Sequence, residues 1–299
     1  MDAVYFVQGA ASPVLDSLML AVTNLGHDLT YIALLVITYL GVSPVQGRRL
    51  GLLFLGAMYF NGLFKDFFST PRPFELDPEV LRVPSAAESA AGAGFPSGHA
   101  QSSTTFWGVA AWYVRRPWFT ALAVMLVALI SFSRVYLGVH LPIDIIAGVG
   151  LGLLAVALAP VLDRTSLSCS RILQLALALA VPLLVHLLFP AVNSGILLGG
   201  LSGFLAGPLL VRHRLPGTLA GRVLVTALGL ALVFIVLLSS SALLPDEVKR
   251  HPVGEYLRYL VIALTGVALT PALFRLFWRE PASAHARESD LTDGYETGD

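Results

Sequence analysis

Apolar residues run through this chain in long blocks separated by short polar clusters, and the length of the blocks decides the first question. A helix of about 20 predominantly apolar residues crosses the hydrocarbon core of a bilayer. Blocks of that order lie near 27–43, 50–68, 98–115, 117–138, 141–162, 172–190, 193–211, 220–243 and 256–277. They predict nine transmembrane helices. The stretch 10–26 (Pro13, Leu15, Leu18, Leu20, Ala21) is amphipathic and short. It predicts a helix lying along the interface, with a re-entrant or tenth segment as the alternative. The third block opens with Gln101, Ser102, Ser103, Thr104 and Thr105. Polar residues at membrane depth face the bundle interior or a wet cavity, so this polarity points toward a site. The predicted fold class is all-α: a polytopic membrane helix bundle with an N-terminal interfacial helix.

Composition agrees. The 299 residues are 56% hydrophobic and 13% charged, with a mean hydropathy of +0.76. Soluble domains carry about 25% charged residues, so most of this surface is kept from water. A formal net charge of zero argues against nucleic acid as a partner. Cys169 is the only cysteine, which excludes intrachain disulfides and cysteine-ligated metal sites. The opening Met1-Asp-Ala-Val-Tyr-Phe6 has no basic segment, so no cleaved secretory signal is expected.

Positive charge predicts the orientation. With the amino terminus outside, the inner loops hold 12 of the 19 basic residues: Arg48, Arg49, Arg115, Arg116, Arg164, Arg171, Arg212, Arg214, Arg222, Arg275, Arg279 and Arg287. The outer side holds Lys65, Arg72, Arg82, Arg134, Lys249, Arg250 and Arg258. The chain divides into a core, 1–164, a helical extension, 165–279, and a disordered inner tail, 280–299. The seventh block carries Gly195, Gly199, Gly203 and Gly207 at four-residue spacing. That strip lets helix backbones approach closely; it favours internal packing, with a homodimer through the same face as the alternative.

Three strings carry the chemistry: Lys65-Asp-Phe-Phe-Ser-Thr-Pro-Arg72-Pro73, Pro96-Ser97-Gly98-His99, and Ser133-Arg134-Val-Tyr-Leu-Gly-Val-His140-Leu-Pro-Ile-Asp144. Each falls at the outer end of an apolar block. A cation at membrane depth costs roughly 2.5–3.5 kcal/mol on insertion scales. Lys65, Arg72 and Arg134 have few nearby carboxylates to offset that cost, which points to a bound anion, and a phosphate dianion fits. Pro71 and Pro73 hold Arg72 extended. Ser97 suits a helix cap, and Gly98 opens the first turn to close approach by an anion. His140 and Asp144 are four residues apart, so on a helix the carboxylate reaches the imidazole and leaves Nε2 free as a nucleophile.

In order and spacing these strings resemble the signature of the type 2 phosphatidic acid phosphatase superfamily: Lys-x6-Arg-Pro, Pro-Ser-Gly-His and Ser-Arg-x5-His-x3-Asp, covering about residues 50–160. The resemblance implies a metal-independent, cofactor-free phosphomonoesterase or diphosphatase working through a phosphohistidine. It implies His140 as nucleophile, Asp144 as its orienting partner and His99 as general acid and base. Lys65, Arg72, Ser97, Gly98 and Arg134 would hold the phosphate. The nine-block layout with an outer amino terminus is similar to glucose 6-phosphatase and the sphingosine phosphate phosphatases. The expected substrate is a lipid phosphate or polyprenyl diphosphate, drawn from the bilayer in a bacterial inner membrane with the site facing the periplasm. A soluble sugar phosphate, with 74–95 as a polar lid, is one alternative; a non-catalytic anion-binding or transport protein is another. Of the remaining histidines, His27, His213, His251 and His285 are read as solvated, and His186 as a hydrogen-bonded packing residue.

Overall fold

The computed structural model describes residues 1–90, 92–164 and 169–278. Every described element is helical. In chain order these are α1 (Asp2–Gln8), α2 (Pro13–Asn24), α3 (Asp28–Ile37), α4 (Pro44–Phe68), α5 (Pro73–Leu76), α6 (Ser85–Glu88), α7 (Gly98–Val114) and α8 (Pro117–Tyr136). They continue as α9 (Pro142–Arg164), α10 (Arg171–Leu188), α11 (Ser194–Leu210), α12 (Leu219–Leu243), α13 (Asp246–Arg250), α14 (Pro252–Leu264) and α15 (Thr270–Phe277). A turn of π-helix, Thr38–Val42, follows α3, and another, Thr265–Leu269, joins α14 to α15. The expected tail at 280–299 lies outside the described residues.

Local chemistry sets the helix starts. Ser12, Ser43, Ser97, Ser170 and Thr218 each accept a backbone N–H from the first turn of the helix they precede. Proline occupies the first turn of α2, α4, α5, α8 and α14, where its missing N–H costs no hydrogen bond.

Helices stand at all nine expected positions, but nine crossings are not confirmed. Five are long and apolar enough to span a membrane: α8, α9, α10, α12 and the run from α14 to α15. A sixth appears if α1 and α2, bent 118° to one another, count as one. The segments Asp28–Val42 and Ser194–Leu210 are apolar but shorter. α4 has the length but carries Arg48, Arg49, Lys65 and Asp66, and α7 opens with its polar turn.

One core joins both halves of the chain: Tyr31, Phe54 and Phe106 cluster with Phe204, Val233 and Ile262. α7 packs along α8 and α9, α4 bridges α7, α9 and α11, and α11 lies along α14. The glycine strip of α11 faces α14 of the same chain. A Cβ on Gly199 would come within 2.3 Å of the Tyr256 carbonyl oxygen, and one on Gly203 within 2.3 Å of the Ala263 side chain. That face is therefore occupied within the chain, in line with the internal-packing reading. His186 is buried and joins three helices, its ring nitrogens bonded to Ser194 Oγ (2.8 Å) and the Pro252 carbonyl (3.1 Å).

At one end of the bundle α1, α2 and the segment from α5 to α6 form a roof. Gln8 donates to the carbonyls of Val80 and Tyr136, each at 2.7 Å, and Arg82 pairs with Asp16 at 3.0 Å. The stretch 74–90 is thus fastened to the amino-terminal helices at several points.

Candidate active site

Three loops converge beneath this roof. The last turn of α4 carries Lys65, and the chain leaves the helix at Ser69 in the left-handed conformation. Arg72 follows, extended between its two prolines, with its N–H donating to Glu75 Oε2 at 2.7 Å. The second loop ends at Ser97, whose hydroxyl accepts the Ala100 N–H at 3.4 Å and starts α7. The third leaves α8 just after Arg134 and turns at Gly138, φ +76°. A Cβ there would lie 1.9 Å from the Val80 carbonyl oxygen, so only glycine fits under the roof.

Backbone and side-chain bonds lock these loops together. The Ser97 N–H donates to the Asp144 carbonyl at 3.0 Å, so α7, which carries His99, and α9, which follows His140, start from one point. Lys65 Nζ donates to the Ala93 carbonyl at 2.5 Å. Arg72 spreads its guanidinium across the site: Nε to Gly92 O (3.0 Å), Nη2 to Ala93 O (3.2 Å) and Nη1 to Val139 O (3.0 Å). Nη1 also lies 3.2 Å from His140 Nε2.

That contact fixes the tautomer of His140. A guanidinium nitrogen has only hydrogens to offer, so Nε2 must be the acceptor and carry a lone pair. The proton then sits on Nδ1, which donates to Asp144 Oδ2 at 3.3 Å. Asp144 Oδ2 also takes the Leu141 N–H at 2.8 Å, capping α9. Burial first, then the charges of Arg72, Arg134 and Lys65, push the His140 imidazole well below its ordinary range, favouring the neutral ring. Burial pulls Arg72 down to about 10, with Glu75 and Asp144 opposing, which leaves it protonated at neutral pH.

Lys65, Arg72, Gly98, His99 and His140 line one cavity of about 400 Å³. His99 Nε2 is buried there with no hydrogen-bond partner among the described residues. Buried polar atoms are rarely left unpaired, so an orphan nitrogen in such a cavity marks a place for a ligand. The other expected site residues stand behind the wall. Ser97 is fully buried as the α7 cap, and Asp144 backs His140. Arg134 is fully buried, with Nη1 bonded to Thr23 Oγ1 (2.8 Å) and Ser89 Oγ (2.9 Å) and Nε unpartnered.

Residues 46–167 match the PAP2 superfamily, and residues 191–280 match the PAP2 superfamily phosphatase transmembrane extension. The chain belongs to the PAP2 superfamily. Its extension and apolar helices make it a multi-pass membrane protein. Among similar proteins, the lipid phosphate phosphatase delta of Arabidopsis thaliana is 30% identical over 165 residues, covering 51% of this chain and 39% of the relative. The undecaprenyl-diphosphatase of Sulfolobus acidocaldarius is 31% identical, covering 46% and 66%. Sphingosine-1-phosphate phosphatase 2 of Mus musculus is 32% identical, covering 45% and 38%. This PAP2 chain thus spans about two fifths of the plant and mouse relatives' own lengths. The crystal structure of Aquifex aeolicus LpxE aligns with TM-score 0.48 and 24% identity, covering 53% of this chain and 93% of that one.

Several participants of this PAP2 protein have no counterpart in the sequence. Asn61 is one: it bonds to Gln101, from the polar opening of α7, at 2.8 Å, and the pair, both buried, fastens α7 to α4, Asn61 also reaching the Pro96 carbonyl and Gln101 the Ala57 carbonyl. Asn61 inside an apolar block was the available signal. Ile196, Leu237 and Tyr259, from the extension, also line the cavity; nothing in their apolar surroundings distinguishes them. Two histidines read as solvated take local roles. His27 caps α3 by accepting the Leu29 N–H and borders the cavity, and His213 bonds to the Leu40 carbonyl at 3.0 Å.

Proposed function

We propose that this PAP2 protein is a membrane phosphatase that hydrolyses a phosphate monoester or diphosphate on a lipid through a phosphohistidine, without a metal ion. The observation that carries the reading is the pairing of His140: Nδ1 toward Asp144, and Nε2 accepting from Arg72 at a cavity shared with His99 and Lys65.

In this reading Lys65, Arg72 and the Gly98 amide hold the phosphoryl oxygens, with Arg134 and Ser97 completing the cradle from behind. The Nε2 lone pair forms a bond to phosphorus as the bond to the lipid oxygen breaks. His99, entering as the imidazolium, gives its proton to that oxygen. Water then attacks phosphorus and gives its proton to His99. The N–P bond breaks, its electron pair returns to Nε2, and phosphate leaves. Asp144 stabilises the positive charge on His140 throughout. Catalysis of this kind is chiefly positioning and charge stabilisation, which suits a rigid cationic cavity.

The archaeal and mouse relatives, an undecaprenyl-diphosphatase and a sphingosine-1-phosphate phosphatase, support a lipid phosphate or polyprenyl diphosphate as substrate. The charge asymmetry of the loops supports a site on the non-cytoplasmic face, the periplasmic side of a bacterial inner membrane. The test is phosphate release by purified protein from phosphatidic acid, phosphatidylglycerophosphate, sphingosine phosphate, undecaprenyl diphosphate and glucose 6-phosphate, beside a His140→Ala control. Turnover of a lipid that is lost in the control is expected. Glucose 6-phosphate outpacing every lipid would move the assignment to a soluble ester, and release from none would end it.

A further inference from the structure

The cavity does not stop at the cationic groups. Below them its walls turn apolar and run between α3, α4, α11, α12 and α14, with Ile32 and Leu35 on one side and Ile196 and Tyr259 on another. A second cavity, of about 80 Å³, continues inward and shares five lining residues with the first: Ile32, Leu35, Leu55, Ile196 and Tyr259. Its remaining lining is apolar apart from Tyr39, and includes Phe204, Val233, Ile262 and Val267. The cleft ends where the two π-helical turns meet, closed by the Tyr39 hydroxyl bonding to the Val267 carbonyl at 3.2 Å.

We infer that this cleft receives one hydrocarbon chain of the substrate whose phosphate sits at His140, so that the extension serves as a receptor for the lipid tail. The inference rests on the phosphatase reading and deepens it. The shape is amphiphilic: cations and histidines at one end, a closed apolar end at the other, one void between them. A soluble ester would leave the lower part empty, and water gains nothing from walls of Leu, Ile, Val and Phe. From Leu29 to Tyr39 the cleft follows α3 for about 15 Å, half the ~30 Å hydrocarbon core and so one leaflet's chain length. Three of its five walls, α11, α12 and α14, come from the extension. Gly200 borders the deep end, where an added Cβ would meet only the Leu55 methyls, at 3.4 and 3.5 Å. A larger side chain there shortens the cleft.

Two arms test this with the full-length protein in detergent. The first compares kcat/KM for hexanoyl and palmitoyl lysophosphatidic acid and for p-nitrophenyl phosphate, in the wild type, Gly200→Leu and Gly200→Ala. Each buried methylene is worth about fourfold in binding. The wild type is therefore expected to favour the palmitoyl ester, and Gly200→Leu to lose at least about tenfold on that ester alone. Gly200→Ala, whose methyl meets only the Leu55 methyls, should lose less on the palmitoyl ester than Gly200→Leu does. Equal losses on all three substrates in Gly200→Leu, or no chain-length preference in the wild type, would overturn the inference.

The second arm needs no turnover and no variant. A palmitoyl lysophosphatidic acid with a diazirine at the chain terminus is photolysed on the wild type, and labelled peptides are mapped. Adducts at Phe204, Val233 or Ile262–Val267 are expected; adducts confined to outward-facing residues such as Leu153 and Leu154 contradict it. Labelling of the cleft in a protein that releases no phosphate would sink the catalytic reading and keep this one. Phosphate release without labelling or chain-length effect would do the reverse.

Discussion

Asp144→Asn is the sharpest probe of the proposed chemistry, because it removes the charge while keeping shape and an oxygen for both donors. Asp144 Oδ2 serves two donors, the Leu141 N–H at 2.8 Å and His140 Nδ1 at 3.3 Å. An asparagine oxygen still accepts from Leu141, so the α9 cap survives and the fold should lose no more than about 1 kcal/mol. That same oxygen still faces His140 Nδ1, so the hydrogen bond and the tautomer are kept and the loss is electrostatic. At an effective dielectric of about 20, unit charges 3.3 Å apart interact by about 5 kcal/mol. Both groups are nearly fully buried, so solvent screening subtracts little. With about half the charge developed in the transition state the loss is about 2.5 kcal/mol, or about 10² in rate. We expect kcat to fall about 10²-fold. The assay is steady-state phosphate release, with acid-quenched phosphohistidine measured in parallel and thermal unfolding as the control for folding. A variant within fivefold of wild type, with normal stability, would refute a charge-stabilising role for Asp144.

Arg72→Lys should lower kcat about 10²–10³-fold on any substrate, because an ammonium cannot span the Gly92, Ala93, Val139 and His140 contacts at once; near-normal turnover would show that point charge suffices. Gly138→Ala should destabilise the protein by several kcal/mol, since both the positive φ and the 1.9 Å approach to Val80 O forbid a side chain; a melting temperature within a degree or two of wild type would contradict the packing. Vanadate should inhibit, its five-coordinate adduct imitating the transition state, while EDTA should leave phosphate release unchanged; strong inhibition by the chelator would point to a metal in the reaction.

The sequence revealed what is local and repetitive. Ser97 was legible as a helix cap, the apolar blocks foretold where helices lie, and the motifs singled out Lys65, Arg72, His99 and His140, which line one cavity. What stayed hidden depends on tertiary approach. Hydropathy averaging cannot separate a helix that crosses from one that is merely apolar, which is why nine blocks correspond to five clear spans. Asn61 is an unremarkable polar residue, and the partner of Gln101 is hidden, until α4 and α7 come together. Ile196, Leu237 and Tyr259 look like any membrane-facing positions, and only the fold turns them inward. The glycine strip of α11 was legible as a close-packing face, but its partner helix was not.

The backbone bond from Ser97 to the Asp144 carbonyl has an evolutionary consequence. Because a main-chain bond ties the start of α7 to the start of α9, side-chain mutation elsewhere in the walls cannot easily alter the spacing of His99 and His140. Descendants of such a protein are then free to remodel the rest of the cavity while that spacing travels unchanged.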